Sequence, residues 1–196
     1  DLYVTVGAGT LLCDLQEELA THGMWVPMIS PWKEATIGGM ISTNINAPLR
    51  MRYGAIRDLT LATSVVLGDG RILRLGRPVV KNVAGYDLVK LFVGSHGTLG
   101  LITEATLKLN ARPQKTTNLK ITIDRLEGGL QLAMKLLPTC LVASALVLSR
   151  ESGGEGREKP YTLFYTAEGH PADVDAEISQ VLAILRSENV DTVCET

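Results

Sequence analysis

The segment from Lys81 to Glu104, KNVAGYDLVKLFVGSHGTLGLITE, holds the residue types best suited to bind a phosphate group. Glycines at three-residue spacing occur there beside hydroxyl side chains, in the order Gly94, Ser95, Gly97, Thr98 and Gly100. Glycine lets the backbone approach a ligand closely and adopt a positive φ without steric cost. Because main-chain N–H groups in such turns can point toward an anion, the segment predicts a surface that presents N–H and hydroxyl donors to a phosphate-bearing ligand.

A second cluster of this character lies upstream, in Thr36-Ile37-Gly38-Gly39 followed by Thr43-Asn44. Its glycine pair permits close backbone approach, while the threonine hydroxyl and the asparagine amide supply neutral hydrogen bonds. Tight packing against a neighbouring strand is the alternative explanation of such a pair. The polar stretch Arg52-Tyr53-Gly54 comes next, and taken alone it is typical of a surface loop.

A third cluster, Gly7-Ala8-Gly9, follows a predicted strand and precedes a predicted helix. This position is typical of a dinucleotide-binding fold, but the fingerprint of that fold needs a third glycine or alanine where this chain has Leu12. A nicotinamide enzyme is therefore only a competing hypothesis. An ordinary turn from strand to helix explains the cluster better.

The elements that must position these clusters follow from the spacing of apolar residues. Leu11–Thr21 is predicted to be a helix because its leucines share one face, and His22-Gly23 ends it. Leu59–Leu67 and Arg71–Leu75 are predicted to form a hairpin around a Gly-Asp-Gly turn. A long strand is expected next, with one face made of alternate residues: Leu99, Leu101, Thr103, Ala105, Leu107 and Leu109.

A domain boundary is predicted at Ala111-Arg112-Pro113, between residues 1–112 and residues 113–196. Beyond it the pattern predicts strand, helix, strand, strand and helix, over Asn118–Ile123, Leu126–Leu137, Val142–Ser149, Tyr161–Thr166 and Ala172–Ser187. This order is most of a ferredoxin-like unit, whose last strand we expect to be missing. The Gly- and Glu-rich stretch 151–160 is expected to be an exposed hairpin loop. The predicted fold class is therefore α+β.

The composition argues against several classes of function. The 196 residues carry 19 basic and 21 acidic side chains, a net charge of −2, so no electrostatic argument for nucleic acid arises. No window approaches the roughly 18 uninterrupted apolar residues of a transmembrane segment. The three cysteines are far apart and odd in number, which favours reduced thiols in a cytoplasmic protein over a disulfide framework or a metal site.

Taken together, the motifs resemble a known family. The order ATIGGMISTN, RYGAIRD, LATSVVLGDGRIL and GYDLVKLFVGSHGTLGLITEATLKL is similar to that of FAD-linked oxidases with a vanillyl-alcohol-oxidase-type (PCMH-type) FAD-binding domain. The longer form VVKNVAGYDL is similar to the FAD-binding subunit of bacterial glycolate oxidase. The resemblance covers residues 1–112 and implies the second part of a PCMH-type FAD-binding domain, followed over residues 113–196 by a partial, ferredoxin-like substrate-side domain.

The resemblance also implies which residues bind FAD. In the family the TxGG segment runs beside the flavin, and the GSxGTLG segment lies along the pyrophosphate and the adenosine. The corresponding cofactor-binding residues here are Thr36, Gly38, Gly39, Asn44, Tyr53, Gly54, Gly94, Ser95, Gly97, Thr98, Gly100 and Ile102. No catalytic base and no metal ligand are assigned.

The activity implied by the resemblance is FAD-dependent oxidation of a 2-hydroxy acid. The implied partners are a second flavin subunit and an iron–sulfur subunit, and the implied location is the cytoplasm or the face of the inner membrane that those subunits occupy. We expect the first phosphate-gripping loop of the family to precede residue 1, and the later half of the substrate domain to be absent. The competing hypothesis is a non-catalytic domain of the same fold that does not bind FAD. An exposed sheet edge near Tyr3–Val6 further predicts a homodimer or strand exchange.

Overall fold

A computed structural model describes residues 2–77, 86–150 and 160–190 and the backbone of 192–195. The chain divides into two compact units, Asp1–Arg112 (unit 1) and Pro113–Thr196 (unit 2). Two sequence predictions lie outside the described residues: the KNVAG part of the glycine-rich segment, and residues 151–159 of the expected hairpin loop. In the described residues, no helix combines the length and the apolar character needed to cross a bilayer.

Unit 1 is an antiparallel sheet with short helices around it. Its described elements are β1 (Tyr3–Gly7), α1 (Leu12–Thr21), β2 (Met24–Trp25), α2 (Ile37–Thr43), α3 (Arg50–Tyr53), α4 (Ile56–Leu59), β3 (Thr60–Val66), β4 (Ile72–Gly76), α5 (Val89–Phe92), β5 (Leu101–Lys108) and β6 (Asn110–Ala111). The main sheet has the order β1-β5-β3-β4, and β2 pairs with β6. Strand β1 therefore forms one edge of this sheet among the described residues.

Helix α1 forms as its leucine spacing predicts. Leu12, Leu15 and Leu19 are buried on one face, and full burial of each leucine stabilises the fold by about 1.5–3 kcal/mol. His22 caps the helix, and Gly23 then adopts a φ of 67°. This left-handed conformation favours glycine and ends the helix where the sequence predicts.

Strand β5 departs from the predicted alternation. Leu107 is fully buried as expected, but Leu101 is exposed and Ile102 is buried instead. The register with β3 shifts between Ser64 and Val65, so that one residue of β5 has no partner. Such a bulge reverses which side chains face the core on one side of it, here at Leu101 and Ile102. The prediction of one continuous apolar face was therefore wrong at the start of this strand.

Unit 2 has the complete ferredoxin-like order of elements. They are β7 (Lys115–Ile123), α6 (Leu126–Leu136), a 3₁₀ turn (Leu137–Thr139), β8 (Ala143–Arg150), β9 (Tyr161–Gly169), α7 (Pro171–Ser187) and β10 (Thr192–Glu195). The sheet order is β10-β7-β9-β8, with every neighbouring pair antiparallel. This confirms the α+β class but corrects one expectation, because β10 is the last strand that was expected to be missing. The four residues of β10 belong to the sheet because they pair with β7. Their short sequence pattern did not predict this pairing.

Candidate functional site

A cavity of about 310 Å³ lies in unit 1 where three separate segments meet. These segments are the turn after β1, the first turns of α2, and the loop that leads into β5. The lining residues are Ala8, Gly9, Thr36, Gly38, Gly39, Ser42, Gly97, Gly100, Leu101 and Ile102. The two glycine clusters that the sequence proposed as parts of one cofactor site thus border the same space.

The turn after β1 and the start of α2 pack backbone against backbone. The Gly38 N–H donates to the Ala8 carbonyl at 2.8 Å, and the Ile37 N–H donates to the Thr10 carbonyl at 2.9 Å. A Cβ atom on Gly38 would lie 2.6 Å from the Cβ of Ala8, so only glycine permits this contact. Tight packing therefore explains part of the glycine pair, and the neighbour is a turn rather than a strand.

Helix α2 begins with a side-chain cap. The Oγ1 of Thr36 accepts a hydrogen bond from the Gly39 N–H at 3.1 Å, as N-cap threonines commonly do. The amides of Gly38 and Gly39 are therefore both engaged within the chain. This segment offers the cavity a closely packed backbone surface and the hydroxyl hydrogen of Thr36, rather than free backbone donors.

Helix α2 is hydrogen-bonded to the glycine-rich loop that precedes β5. The Gly94 N–H donates to the Ile41 carbonyl at 3.0 Å, and the His96 N–H donates to the Ser42 carbonyl at 2.8 Å. The loop has positive φ at Gly94 (81°), His96 (51°) and Gly97 (74°), a run that bends the chain back toward the helix. We call these two hydrogen bonds the α2–loop junction. They hold two clusters that are far apart in the sequence against one cavity.

In the glycine-rich loop, a backbone N–H is available to a ligand, whereas the Thr98 hydroxyl is already engaged within the loop. A Cβ atom on Gly97 would meet nothing within 4 Å, so the space beside its Cα is open. In the described part of the chain, no backbone acceptor contacts the Gly97 N–H. The Thr98 hydroxyl instead donates to the Ser95 carbonyl at 2.7 Å, and the Ser95 Oγ is enclosed without a partner among the described residues. Of the two hydroxyls expected to face a phosphate, the Thr98 hydroxyl therefore stabilises the turn instead.

The lining of the cavity carries no ionisable side chain at the residues that the structure describes there. An anion would meet peptide dipoles and a threonine hydroxyl, with no carboxylate on the lining to repel it. Across the described residues, no group of three or more His, Cys, Asp or Glu side chains could hold a metal ion. The arrangement suits a phosphate-bearing organic ligand.

Three of the candidate residues have roles elsewhere in unit 1. Asn44 ends α2 in the left-handed conformation with φ 51°, and its Cβ lies 3.2 Å from the position that a Cβ on Gly94 would take. Tyr53 packs edge-to-face on Trp25, with ring centroids 5.4 Å apart. Gly54 has φ 87° and ends α3. Six of the twelve candidate residues do not belong to the cavity lining: Asn44, Tyr53, Gly54, Gly94, Ser95 and Thr98.

Four lining residues were missing from the sequence-based site: Ala8, Gly9, Ser42 and Leu101. The signal for the first two was present, because a glycine-rich turn directly follows a strand. A dinucleotide-binding turn was considered there, and an ordinary connection from strand to helix was preferred; the turn is such a connection, and it also forms one wall of the cavity. Leu101 reaches the lining because of the bulge in β5, which the sequence pattern did not reveal.

Residues 1–76 match the model of a protein family described as FAD binding domain. The matched segment contains the turn after β1 and helix α2, while the glycine-rich loop lies beyond it in the sequence. The resemblance to FAD-linked oxidases is confirmed, and the cofactor that it implies is FAD.

Proteins similar to this chain include subunits of glycolate oxidase and a lactate dehydrogenase. Glycolate oxidase subunit GlcE of Escherichia coli (strain K12) is 38% identical over 167 residues, which are 81% of this chain and 47% of that protein. Glycolate oxidase subunit GlcD of Bacillus subtilis (strain 168) is 37% identical over 147 residues, 72% of this chain and 31% of that protein. D-lactate dehydrogenase of Archaeoglobus fulgidus is 38% identical over 139 residues, 69% of this chain and 31% of that protein. The chain thus spans less than half the length of these relatives.

Among solved structures, alkyldihydroxyacetonephosphate synthase matches this chain with a TM-score of 0.82. The match covers 100% of this chain and 41% of the synthase chain, at 18% sequence identity. At that identity the similarity shows the fold alone.

Proposed function

We propose that this protein binds FAD in the cavity of unit 1 and takes part in flavin-dependent oxidation of a 2-hydroxy acid. The observation that carries the proposal is the α2–loop junction, which holds two glycine motifs of FAD-linked oxidases on one cavity. Relatives named as glycolate oxidase subunits and D-lactate dehydrogenase support the 2-hydroxy-acid substrate class.

The cavity suits the diphosphate of FAD in shape and in charge. Gly9 and Gly97 both line it, and a Cβ atom on either would meet nothing within 4 Å, so a ligand can approach the backbone at both positions. Among the described residues the Gly97 N–H has no backbone acceptor, so it can donate to a ligand, and a hydrogen bond from an amide to a charged phosphate oxygen contributes about 1.5–3 kcal/mol. The neutral lining adds no repulsion.

We assign the candidate residues to two roles. Those on the lining would contact the cofactor directly: Thr36, Gly38, Gly39, Gly97, Gly100 and Ile102. Asn44, Gly94, Ser95 and Thr98 would hold the loop in the shape that presents the Gly97 amide. Tyr53 and Gly54 stay candidates by resemblance, since their contacts here are to other parts of unit 1.

The chemistry that FAD supplies when bound is acceptance of a hydride from the α-carbon of the 2-hydroxy acid. This chain binds and orients the cofactor. The Thr36 Oγ1 acts as an acceptor toward the Gly39 N–H, so its hydroxyl hydrogen can be donated to a ligand. Gly38 and Ala8 are in close contact, so the side of the cavity that they form is rigid. A rigid side favours one orientation of the ligand.

We further propose that the whole protein works with a second flavin subunit and an iron–sulfur subunit, in the cytoplasm or peripheral to the inner membrane through them. The similarity to two different proteins named as glycolate oxidase subunits supports an assembly of this kind. Strand β1, at an edge of its sheet among the described residues, offers a place for pairing with another strand.

Titration of the purified protein with FAD tests the cofactor proposal. We expect quenching of FAD fluorescence, and a flavin absorption band that stays with the protein through gel filtration. FMN is the matched control ligand, because it carries the flavin and one phosphate but no adenosine. We expect FMN to bind more weakly than FAD, since the 97–102 side of the cavity is assigned to the adenosine half. A colourless protein that leaves FAD fluorescence unchanged would contradict the proposal and favour the non-binding domain.

A further inference from the structure

Lys90 belongs to helix α5, the four-residue helix that directly precedes the glycine-rich loop, residues 94–100. Its side chain is only 22% exposed. The Lys90 ammonium donates hydrogen bonds to the carbonyls of Arg57 and Thr60, where helix α4 ends and strand β3 begins. One side chain therefore joins α5 to the junction between α4 and β3, outside the cavity lining.

Placing this ammonium against main-chain carbonyls has an energetic cost. Burial lowers the pKa of Lys90, and the Arg57 guanidinium adds to this effect, while the carboxylates of Asp87 and Asp58 oppose it. The nearest of these charges is Asp87, whose Oδ2 lies 3.9 Å from the Lys90 Nζ. A lysine usually packs its stem on the protein and keeps its ammonium in water. The partly buried ammonium of Lys90 instead satisfies carbonyls at the end of a helix, as lysine side chains can do.

Helix α5 needs such contacts to hold its position. A single helical turn forms only at a net cost, so four residues are not stable as a helix by themselves. Val89 and Phe92 are buried, and a Cβ atom on Gly76 would lie 2.7 Å from the Cγ2 of Val89, so α5 packs closely on the end of β4. Apolar contacts are non-directional. The hydrogen bonds of Lys90 therefore supply the directional part of the anchor.

The glycine-rich loop is held from two sides. On one side the α2–loop junction binds it, with the Gly94 N–H donating to the Ile41 carbonyl. On the other side the loop continues from α5, and the Ser95 N–H donates to the Phe92 carbonyl at 3.2 Å. A shift of α5 would move the first residues of the loop relative to α2. The position of the Gly97 N–H therefore depends on the anchor of α5 as well as on the junction.

We propose that Lys90 is a positioning residue of the candidate cofactor site. Its hydrogen bonds to the α4–β3 junction hold α5, and α5 in turn holds the glycine-rich loop in the shape that presents the Gly97 N–H to a ligand. That this ligand is FAD rests on the proposed function. The hold of Lys90 on the loop does not require FAD, so the two proposals can fail separately.

Hydrogen exchange of the protein without FAD, measured by mass spectrometry, tests the hold of Lys90 on the loop. Lys90→Met keeps the length of the side chain and removes the ammonium. We expect peptides that cover residues 93–101 to exchange several-fold faster than in the parent, because the Gly94 and His96 amides are hydrogen-bonded there. Peptides from helix α1 should keep their rate. Lys120→Met is the matched control, since Lys120 is an exposed lysine on β7 in unit 2.

Lys90→Arg keeps a cation with several donors, and we expect its loop to exchange at a rate closer to the parent than that of Lys90→Met. This variant also covers the case in which Lys90→Met does not fold. Three results would overturn the proposal: an unchanged rate at residues 93–101 in Lys90→Met, an equal increase in α1, or a rate in Lys90→Arg as high as in Lys90→Met.

FAD titration of the same variants connects the loop to the cofactor. We expect FAD to bind Lys90→Met about 5- to 10-fold more weakly than the parent, which is part of the loss expected when a whole hydrogen bond to a charged group is removed. Gly23→Ala is the stability control, because it strains the turn after α1 at φ 67° and lies outside the loop. Equal FAD affinity in Lys90→Met and the parent would show that Lys90 does not position the site. A parent that does not bind FAD would refute the proposed function, and the exchange rates would still decide whether Lys90 holds the loop.

Discussion

Replacing Gly97 by alanine should separate cofactor binding from folding stability. Gly97 lines the cavity, and a Cβ atom there would meet no atom of the protein within 4 Å. The new methyl group therefore enters the space assigned to the cofactor and displaces a phosphate oxygen from the Gly97 N–H. Loss of one hydrogen bond to a charged group costs about 1.5–3 kcal/mol. Since each 1.4 kcal/mol is tenfold, we expect FAD to bind about 10- to 100-fold more weakly.

Gly23→Ala is the matched control for the backbone. Gly23 has φ 67°, close to the 74° of Gly97, and its Cβ atom would also meet nothing within 4 Å. It follows α1 and does not line the cavity. A non-glycine residue in this left-handed region costs about 1–2 kcal/mol at either position. Each 1 kcal/mol should lower Tm by about 2–4 °C in a chain of this size, so both variants should lose similar stability.

The assay is an FAD titration by fluorescence quenching, with thermal unfolding of the same proteins measured without FAD. The expected result is a similar fall in Tm for both variants and a loss of FAD affinity in Gly97→Ala alone. If FAD binds both variants equally well, the cavity is not the FAD site, and the reasoning from the α2–loop junction fails.

Two other perturbations probe contacts within unit 1. Gly38→Ala should destabilise the protein by about 1–3 kcal/mol in chemical denaturation, because the added Cβ would lie 2.6 Å from that of Ala8; Ala8→Gly in the same chain should recover part of the loss, and no recovery would refute this cause. Cys13 donates its thiol hydrogen to Asp14, which raises the thiol pKa. Asp14→Asn should lower that pKa, so the thiolate fraction near pH 8 increases and alkylation of Cys13 by iodoacetamide becomes several-fold faster. An unchanged rate in that pH range would count against the hydrogen bond.

Local periodicity was enough to predict most of the regular elements. Helix α1 was predicted because three- and four-residue leucine spacing depends only on helix geometry, and the turn at Gly23 depends only on the freedom of glycine. The short strand β10 escaped prediction, since four residues carry little periodicity and its place is set by pairing with β7. The face of Leu101 was also wrong, because a bulge is a property of two paired strands.

The candidate site, like the fold, was predicted only in part from the sequence. Residue types and their order were sufficient to recognise an FAD-linked family and to name the glycines at Gly38 and Gly97. Folding decided that Gly38 serves the contact with Ala8, that the space beside Gly97 is open, and that Tyr53 is not part of the cavity lining. The reason is physical: the hydrogen bonds of the α2–loop junction join carbonyl and amide groups far apart in the chain, so neither segment alone specifies them.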